Sequence, residues 1–301
     1  MARSTHAPEP DENGSRLLPV LAGFSLARTT APVWWARGRW ASVDWRAGTL
    51  WWTGWESDRI VWRSVRQITA DRLLIAGSGA PDLDGVWAAR ALGVTAQMPE
   101  FDDPILANLA RRHSGMRSWA QGSLFDGAVS SIIGQSISVA AAATTERRVY
   151  ELFNPPLALD GRLFWPSPRT EQLAAADPGN LRACGVTTIR AVALIRVGAA
   201  FAAGEIGERA LGDDDAVAEA EKLLAVRGVG PWTVRSALLW GIGDPDAHPS
   251  GDVALLRAVA KQDPAVSTLR ELDARAEMWR PHRAWAARLL WLDLLGHAEA
   301  S

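Results

Sequence analysis

The hydrophobic pattern of this chain changes once, at residues 77–81, Gly-Ser-Gly-Ala-Pro. Upstream of that point, turn signals separate short runs rich in aromatic and β-branched residues, namely 19–26, 33–45, 50–55 and 60–65. Such runs predict an antiparallel sheet with one covered face. Downstream, apolar residues recur at helical spacing between short Gly, Pro and Asp breaks. The sequence therefore predicts an α+β fold, mostly α, with a small antiparallel sheet followed by helices.

The predicted helices span 83–92, 102–113, 125–134, 138–153, 170–176, 188–203, 213–225, 231–240, 252–261, 269–278 and 281–296. Several begin with a capping signal, such as the aspartates before Pro104 or the Gly251-Asp252 pair before Val253. We expect three regions along the chain. They are a disordered tail at 1–16, an antiparallel β-sheet domain at 17–95 and a helical domain at 96–301.

Composition excludes several classes of protein. The chain has 301 residues and a formal net charge of −2, which argues against a non-specific DNA coat. Cys184 is its one cysteine, so an internal disulfide and a four-cysteine iron–sulfur site are impossible. No run of roughly 20 apolar residues is free of charges, and the N-terminus has no signal-peptide core. We expect a cytoplasmic, nucleoid-associated monomer without membrane attachment, metal or other cofactor.

Tryptophan is concentrated in the predicted sheet, where eight tryptophans fall between Trp34 and Trp62. Two interpretations fit this cluster. The rings pack in the core and on the sheet face, which is the commoner use of tryptophan. Alternatively they form a platform on which nucleic-acid bases stack.

A tight turn at residues 226–233, Val-Arg-Gly-Val-Gly-Pro-Trp-Thr, separates two predicted helices. Gly228 and Gly230 bracket Val229 and allow the positive φ that a short reversal needs. Pro231 suits the first turn of the second helix. Backbone N–H groups at that start would lack partners and could bind an anion: those of Gly230, Trp232 and Thr233. The alternative is an ordinary connection between two core helices.

A single carboxylate, Asp252, follows Gly230 by 22 residues and directly precedes an apolar helical run. It could simply cap that helix, and capping is compatible with a second role because a helix N-terminus keeps a carboxylate ionised. A nearby anion stabilises the oxocarbenium-like sugar formed when a glycosidic bond breaks. Of the neighbouring residues, we expect His248 to be a surface loop histidine and Asp244 and Asp246 to be turn residues.

Four segments in this order resemble the helix-hairpin-helix DNA glycosylases, most closely the 3-methyladenine DNA glycosylase II branch. They are the hairpin at 227–233, the Pro-Ser-Gly-Asp run at 249–252, the Gln-x-x-Ser helix end at 135–138 and the Trp-Arg-Pro-x-Arg segment at 279–283. The resemblance covers residues of about 100–296. The N-terminal part matches only in type, as a small antiparallel sheet domain.

The resemblance implies roles for individual residues at the DNA backbone and at the damaged base. Asp252 becomes the catalytic carboxylate. The hairpin residues that hold a DNA phosphate are Gly228, Val229, Gly230, Trp232 and Thr233. The turn that enters the gap left by a flipped nucleotide comprises Gln135, Ser136 and Ile137. Ser136 stands where the branch has an apolar residue, so Ile137 is the candidate wedge.

The resemblance also implies a pocket for the flipped base. Trp291 matches an aromatic residue of that pocket, where its ring could stack on a cationic base. Plain packing in a helical core is the alternative for Trp291. Ser236 stands where a second aromatic pocket residue is expected. Arg280 and Arg283 either reach a phosphate or bind neighbouring acids.

The scarcity of lysine bears on whether the implied glycosylase also cleaves the DNA strand. Family members that also cut the DNA strand carry a lysine directly before the hairpin threonine and use its amine as a nucleophile. Trp232 occupies that position here, and the only lysines are Lys222 and Lys261. We therefore expect a monofunctional glycosylase that removes alkylated purines from damaged double-stranded DNA. A non-catalytic damage-binding protein is the alternative, and an unrelated helical protein is a more distant one.

Overall fold

The computed structural model describes residues 15–209 and 213–296. Its first part is a five-stranded antiparallel sheet with strand order β1-β5-β4-β3-β2. The strands are β1 (Arg16–Pro19), β2 (Val43–Arg46), β3 (Thr49–Glu56), β4 (Arg59–Thr69) and β5 (Arg72–Gly77). The predicted sheet is therefore confirmed. The predicted tail lies outside the described residues except for its last two positions, and Arg16 already belongs to β1.

Two of the predicted β segments are partly helical instead. Residues 19–26 leave the sheet after Pro19 and enter α1 (Leu26–Thr29), and the start of 33–45 lies in α2 (Ala31–Trp35). Local capping explains the difference, because the Ser25 hydroxyl accepts the Arg28 N–H at the start of α1. Pro32 occupies the first turn of α2, where it loses no hydrogen bond.

The covered face of the sheet packs against α3 (Pro81–Ala91). The buried face includes Leu50, Val65 and Ile75, which lie opposite one another across β3, β4 and β5. Arg63 lies on the same face and is 4% exposed. Its guanidinium binds Asp84 of α3 at 2.5 Å and Glu56 at 3.1 Å. The buried arginine is thus neutralised by two carboxylates.

The tryptophans of the sheet region make internal contacts. Trp52 and Trp87 lie 4.8 Å apart between ring centroids, with the Arg63 guanidinium over both rings. Trp55 donates its indole N–H to the Ser167 carbonyl at 2.8 Å, and Trp35 donates to the Gly296 carbonyl. These contacts favour packing over a base-stacking platform.

The helices that follow agree with the predicted pattern to within a few residues at most ends. They are α4 (Pro104–Arg112), α5 (Leu124–Gly134), α6 (Val139–Glu151), α7 (Thr170–Ala174), α8 (Pro178–Ala183), α9 (Thr188–Ala202), α10 (Ala216–Lys222), α11 (Pro231–Ala237), α12 (Val253–Gln262), α13 (Leu269–Ala276) and α14 (Arg283–Leu295). Short 3₁₀ turns follow α10 and α13, and a π-helical turn, Leu238–Ile242, continues α11. The boundary between sheet and helical domains at 95/96 stays a prediction.

Besides the helices α1 and α2, the predicted segments did not include β5, α8 or a hairpin of β6 (Leu157–Leu159) and β7 (Arg162–Phe164). The hairpin turn is Asp160-Gly161, with φ of 47° and 70°. Asp-Gly is a strong signal for this turn, so the sequence did carry the information. Arg162 forms an ion pair with buried Asp44 of β2, which ties the hairpin to the sheet.

A close contact between two glycines places α5 against the π-helical turn Leu238–Ile242, which follows α11. A Cβ on Gly127 would lie 2.5 Å from the Gly241 Cα, so neither helix could approach this closely with a larger residue there. The contact brings the C-terminal end of α5 towards α11, where the predicted site residues lie.

Among the described residues, no single helix is long and apolar enough to cross a membrane; α5 and α6, bent by 118°, would qualify only as a pair and only by length and composition.

Candidate active site

The turn between α10 and α11 depends on one left-handed residue. Gly228 has a φ of +101°, and a Cβ there would lie 3.0 Å from the Ala193 Cβ on α9. Glycine is therefore required at 228 by both conformation and space. Gly230 differs from the expectation, since its φ of −115° and ψ of 176° are extended. One left-handed residue suffices for the reversal, and a Cβ at Gly230 would meet nothing within 4 Å.

The start of α11 presents unpaired backbone donors. Val229 donates to the Val226 carbonyl and Val234 to the Gly230 carbonyl. Within residues 15–209 and 213–296, no acceptor is found for three N–H groups at this end: Gly230, Trp232 and Thr233. Because α11 continues into the π-helical turn, these donors head a longer helical segment. They form a local concentration of positive potential that suits an anionic oxygen.

The turn between α5 and α6 is joined to this hairpin by Gln135. Its side-chain Nε2 donates to the Thr233 hydroxyl at 2.7 Å and to the Gly228 carbonyl at 3.3 Å. Arg190 of α9 donates in turn to the Gln135 backbone carbonyl. Three elements that are distant in sequence therefore meet at one glutamine. Sequence reasoning had not identified Arg190, because nothing in its local pattern distinguishes it.

The tip of the same turn is exposed and conformationally unusual. Ser136 has a φ of +57°, a left-handed conformation that non-glycine residues adopt rarely. Ile137 is 40% exposed, which is high for a large apolar side chain. Ser138 then caps α6 by accepting the Ala141 N–H. An apolar side chain thus projects from a turn that Gln135 and Arg190 hold at its base.

Asp252 caps α12 and also contacts the hairpin. Its Oδ1 accepts the Leu255 N–H at 2.8 Å, which is the expected N-cap bond. Its Oδ2 accepts the indole N–H of Trp232 at 3.4 Å. Both side chains are partly exposed. The structure therefore brings the predicted carboxylate and the predicted hairpin into direct contact.

The segment just before Asp252 is held by a residue that sequence reasoning missed. Asp273 of α13 accepts a hydrogen bond from the Ser250 hydroxyl at 2.6 Å, and its other oxygen lies 3.0 Å from His248 Nε2. His248 is 6% exposed, so the expectation of a surface histidine is wrong. The acceptor that draws its ring inward lies 25 residues further along the chain, on another helix.

Comparison with known proteins agrees with this geometry. No protein-family model matches the chain. DNA-3-methyladenine glycosylase 2 of Escherichia coli (strain K12) is 31% identical over 195 residues, 64% of this chain and 66% of that protein. DNA-3-methyladenine glycosylase of Bacillus subtilis (strain 168) is 25% identical over 63% of each chain. The chain belongs to the helix-hairpin-helix DNA glycosylase superfamily, in its 3-methyladenine glycosylase branch.

A third relative shows how far sequence similarity extends. A Mycobacterium tuberculosis (strain ATCC 25618 / H37Rv) protein named "Probable bifunctional transcriptional activator/DNA repair enzyme AlkA" is 35% identical over 172 residues. The match covers 56% of this chain and 33% of that protein. The chain thus spans about a third of the mycobacterial relative and less than two thirds of the Bacillus subtilis one.

Solved structures of the superfamily share the fold over nearly the whole chain. The 3-methyladenine DNA glycosylase from Archaeoglobus fulgidus has a TM-score of 0.74 at 18% identity, covering 92% of this chain and 97% of that one. The 8-oxoguanine glycosylase/lyase of Clostridium acetobutylicum, in complex with double-stranded DNA, has a TM-score of 0.72 at 18% identity. It covers 94% of this chain and 95% of the other. At such identities the likeness concerns the fold alone.

The two residues assigned to the base pocket lie in the interior of this family member. Trp291 is 5% exposed, and its ring stacks on Trp240 with centroids 5.3 Å apart and an interplanar angle of 25°. Ser236 of α11 is 2% exposed. These contacts are the core packing that was the alternative for Trp291, and its role in a base pocket stays a prediction.

The two arginines of the C-terminal segment bind neighbouring acids. Arg283 contacts Asp246 through two nitrogens at 2.7 and 2.9 Å, and Arg280 contacts Asp246 at 2.8 Å and Glu277 at 2.7 Å. The Arg283 hydrogen bonds and the two positive charges lower the pKa of Asp246 against the opposing effect of burial. The structure therefore supports the interpretation in which the two arginines bind neighbouring acids and attach α14 to the preceding loop.

Proposed function

We propose that this protein is a monofunctional DNA glycosylase that hydrolyses the N-glycosidic bond of alkylated purines in damaged double-stranded DNA. The substrates would be bases of the 3-methyladenine and 7-methylguanine type. The observation that carries the proposal is the contact between Trp232 and Asp252. This contact places an ionisable carboxylate and an aromatic ring beside a helix N-terminus of the kind that binds phosphate.

The hairpin supplies the grip on the DNA backbone. The unpaired N–H groups at the start of α11 would bind a phosphodiester oxygen, and open space beside Gly230 leaves room for it. The net charge of −2 means that this contact depends on backbone groups and local arginines rather than on a basic surface. The site residues all come from one chain, so a monomer would suffice.

Base flipping would use the turn at Gln135, Ser136 and Ile137. An enzyme that acts on a base within a duplex must first extrude the nucleotide. The exposed Ile137 side chain could fill the gap in the stack and offset the lost stacking energy. Because Gln135 also binds Thr233, insertion of this turn and seating of the phosphate would occur in a fixed relative geometry.

The chemistry requires little more than an anion and water. An alkylated purine already carries positive charge and is a good leaving group, so no strong general acid is needed. Asp252 would stabilise the oxocarbenium-like sugar or orient the attacking water. The partly exposed Trp232 ring and, by resemblance, Trp291 would stack on the cationic base in a pocket that Ser236 leaves wider.

Strand cleavage is not expected from these residues. The lysine used for it is replaced by Trp232, while Lys222 binds Glu219 at 2.7 Å and Lys261 lies near the C-terminal end of α12. Water is then the remaining nucleophile, and the product is an abasic site.

Excision from duplexes carrying 3-methyladenine or 7-methylguanine tests the proposal, with sodium borohydride added in parallel reactions. Release of free base without a trapped covalent adduct is the expected result. An adduct would show amine catalysis and overturn the monofunctional assignment. Salt-sensitive binding to damaged DNA without any release of base would indicate the non-catalytic damage-binding alternative.

A further inference from the structure

Arg190 of α9 lies between the two elements assigned to the DNA backbone. Its Nη2 donates to the backbone carbonyl of Gln135, at the base of the turn between α5 and α6. The neighbouring Ile189 lies against the hairpin, since a Cβ at Gly228 would be 3.4 Å from the Ile189 Cγ2. Gln135 also donates to the Thr233 hydroxyl at 2.7 Å. Arg190 is therefore joined to the turn directly and to the hairpin through Gln135 and Ile189.

Most of the hydrogen-bonding capacity of the Arg190 guanidinium is unused. An arginine side chain carries five N–H donors. The bond to Gln135 is the one side-chain hydrogen bond that Arg190 makes within the part of the chain that the structure describes. Neither Nε nor Nη1 belongs to the buried nitrogen atoms that lack a partner, so both are open to solvent. An acceptor that approaches from solvent can therefore reach them.

The positive charge of Arg190 is also uncompensated. In residues 15–209 and 213–296, no carboxylate lies within ion-pair distance of its guanidinium. Partial burial lowers the pKa of Arg190, and no neighbouring acid opposes this effect. Arg275 and Arg283 are also partly buried, yet each of them binds two carboxylates. Arg190 thus presents a partly desolvated cation to which an anionic ligand would bind favourably.

We propose that Arg190 binds a DNA phosphate beside the flipped nucleotide with its free nitrogens, while its Nη2 holds the Gln135 carbonyl. The inference rests on the proposed glycosylase function and adds a side-chain contact to the backbone N–H groups of the hairpin. A planar guanidinium can serve two acceptors at once because its N–H groups point in different directions. A phosphodiester oxygen suits the free nitrogens, since arginine and phosphate form charge-assisted hydrogen bonds.

This double contact would link backbone binding to insertion of the turn. Ser136 has the left-handed φ of +57°, and the exposed Ile137 follows it, so the direction of Ile137 depends on how the turn is anchored. A phosphate bound to Arg190 would fix the guanidinium and, through it, the Gln135 carbonyl. The apolar side chain would then be held in place when the DNA backbone is seated.

Binding to a duplex that carries a tetrahydrofuran abasic site tests the phosphate contact, with fluorescence anisotropy as the measurement. Arg190→Met should weaken binding about 10-fold, because a hydrogen bond between charged groups is lost. The slope of log affinity against log salt concentration should become shallower by about 1. Arg190→Lys keeps the charge and should keep the wild-type slope.

Arg28→Met is the matched control. Arg28 is also partly buried, and it donates to one backbone carbonyl, that of Ser114, at 3.0 Å. It belongs to α1, which is not part of the proposed DNA site. The affinity and salt slope of Arg28→Met should equal those of the wild type. If Arg190→Met did not fold, Arg190→Gln would give the same comparison, since it removes the charge and keeps an amide donor.

A series of the same duplexes locates the phosphate, with one methylphosphonate replacing each phosphate near the abasic site in turn. At one position the wild type and Arg28→Met should lose affinity while Arg190→Met does not, because the variant no longer makes that contact. A purely structural role of Arg190 would instead lower the affinity of the variant by the same factor at every position.

An unchanged salt slope in Arg190→Met would overturn the inference. Equal sensitivity of Arg190→Met and the wild type at every methylphosphonate position would do the same. Both readouts measure binding to a duplex that holds no base to release. They can therefore fail while alkylated bases are excised, and excision can fail while they succeed.

Discussion

The indole N–H of Trp232 points to Oδ2 of Asp252 at 3.4 Å, while Oδ1 of the same carboxylate caps α12. The carboxylate is therefore oriented from two sides by groups 20 positions back and three positions forward in the chain. This arrangement fixes the direction of the anion without surrounding it, since Asp252 stays partly exposed.

Replacing Asp252 by asparagine should abolish most excision and leave the fold intact. Asparagine caps helices as well as aspartate does, so Tm should change little. Loss of the anion should slow base release by at least about 100-fold, with DNA affinity retained. Single-turnover excision and fluorescence anisotropy measure the two effects. The control is Asp177→Asn at the N-cap of α8, where normal activity is expected. Unchanged excision in Asp252→Asn would show that Asp252 is not the catalytic carboxylate.

Replacing Trp232 by phenylalanine should separate orientation from stacking. The ring remains, but the hydrogen bond to Asp252 is lost, and we expect kcat to fall about 5-fold with little change in KM. Trp55→Phe removes a comparable indole hydrogen bond, to Ser167, within the sheet region. That control should match the wild type in excision. Equal rates for both variants would show that the contact does not orient the carboxylate.

Replacing Gln135 by methionine should uncouple the α5–α6 turn from the hairpin. The variant keeps the side-chain volume but loses the donor to Thr233 and Gly228. We expect about 10-fold weaker binding to abasic-site DNA, together with a loss of about 1 kcal/mol of stability. Gln67→Met removes two bonds to backbone groups of the sheet region and should lower stability alone. If both variants bound DNA normally, the coupling would have no role in recognition.

Replacing Asp273 by alanine should loosen the segment that presents Asp252. Both His248 and Ser250 lose their acceptor, which should cost about 1–2 kcal/mol of stability. We expect kcat to fall with KM nearly constant, because the carboxylate is displaced rather than removed. Asp263→Ala breaks the ion pair with Arg275 and serves as the comparison. A larger effect on KM than on kcat would contradict a positioning role.

Replacing Glu146 by glutamine should change how stability depends on pH. Burial raises the Glu146 pKa from 4.5 to about 7, Asp126 adds to the shift, and the Ser130 hydrogen bond opposes it. Above about pH 4.5 the unfolded chain releases a proton that Glu146 keeps in the folded protein. The stability that protonated Glu146 contributes is therefore lost as pH rises from about 4.5 to about 7.

Glutamine cannot ionise, so the Tm of Glu146→Gln relative to the Tm of the wild type should rise by about 5 °C between pH 5 and pH 8. Asp126 and Glu208, whose pKa values burial raises to about 6 and about 7, should keep a decline of stability with rising pH in both proteins. Thermal unfolding across this pH range gives the comparison. Glu151→Gln, at the exposed end of the same helix, should show the same Tm profile as the wild type. If the Tm of Glu146→Gln differed from that of the wild type by the same amount at every pH, the titration of Glu146 would not explain the pH dependence.

Local signals predicted most of the elements. Caps and prolines predicted α4, α12 and α11 closely, because these residues act on backbone groups a few positions away. The turn at Asp160-Gly161 was equally readable and was missed. The predicted strand run at 33–45 was right only at its end, which is β2, because Pro32 favours a helical start for α2 at its beginning.

The sequence by itself determined the order of sheet and helices, the glycine reversal at Gly228 and the capping of α12 by Asp252, since each depends on the sterics of a few adjacent residues. Only the tertiary structure decided that Trp232 meets Asp252 and that Asp273 buries His248. Those contacts join residues that are distant along the chain. They depend on how whole helices pack, through contacts such as Gly127 on Gly241, and no local pattern encodes them.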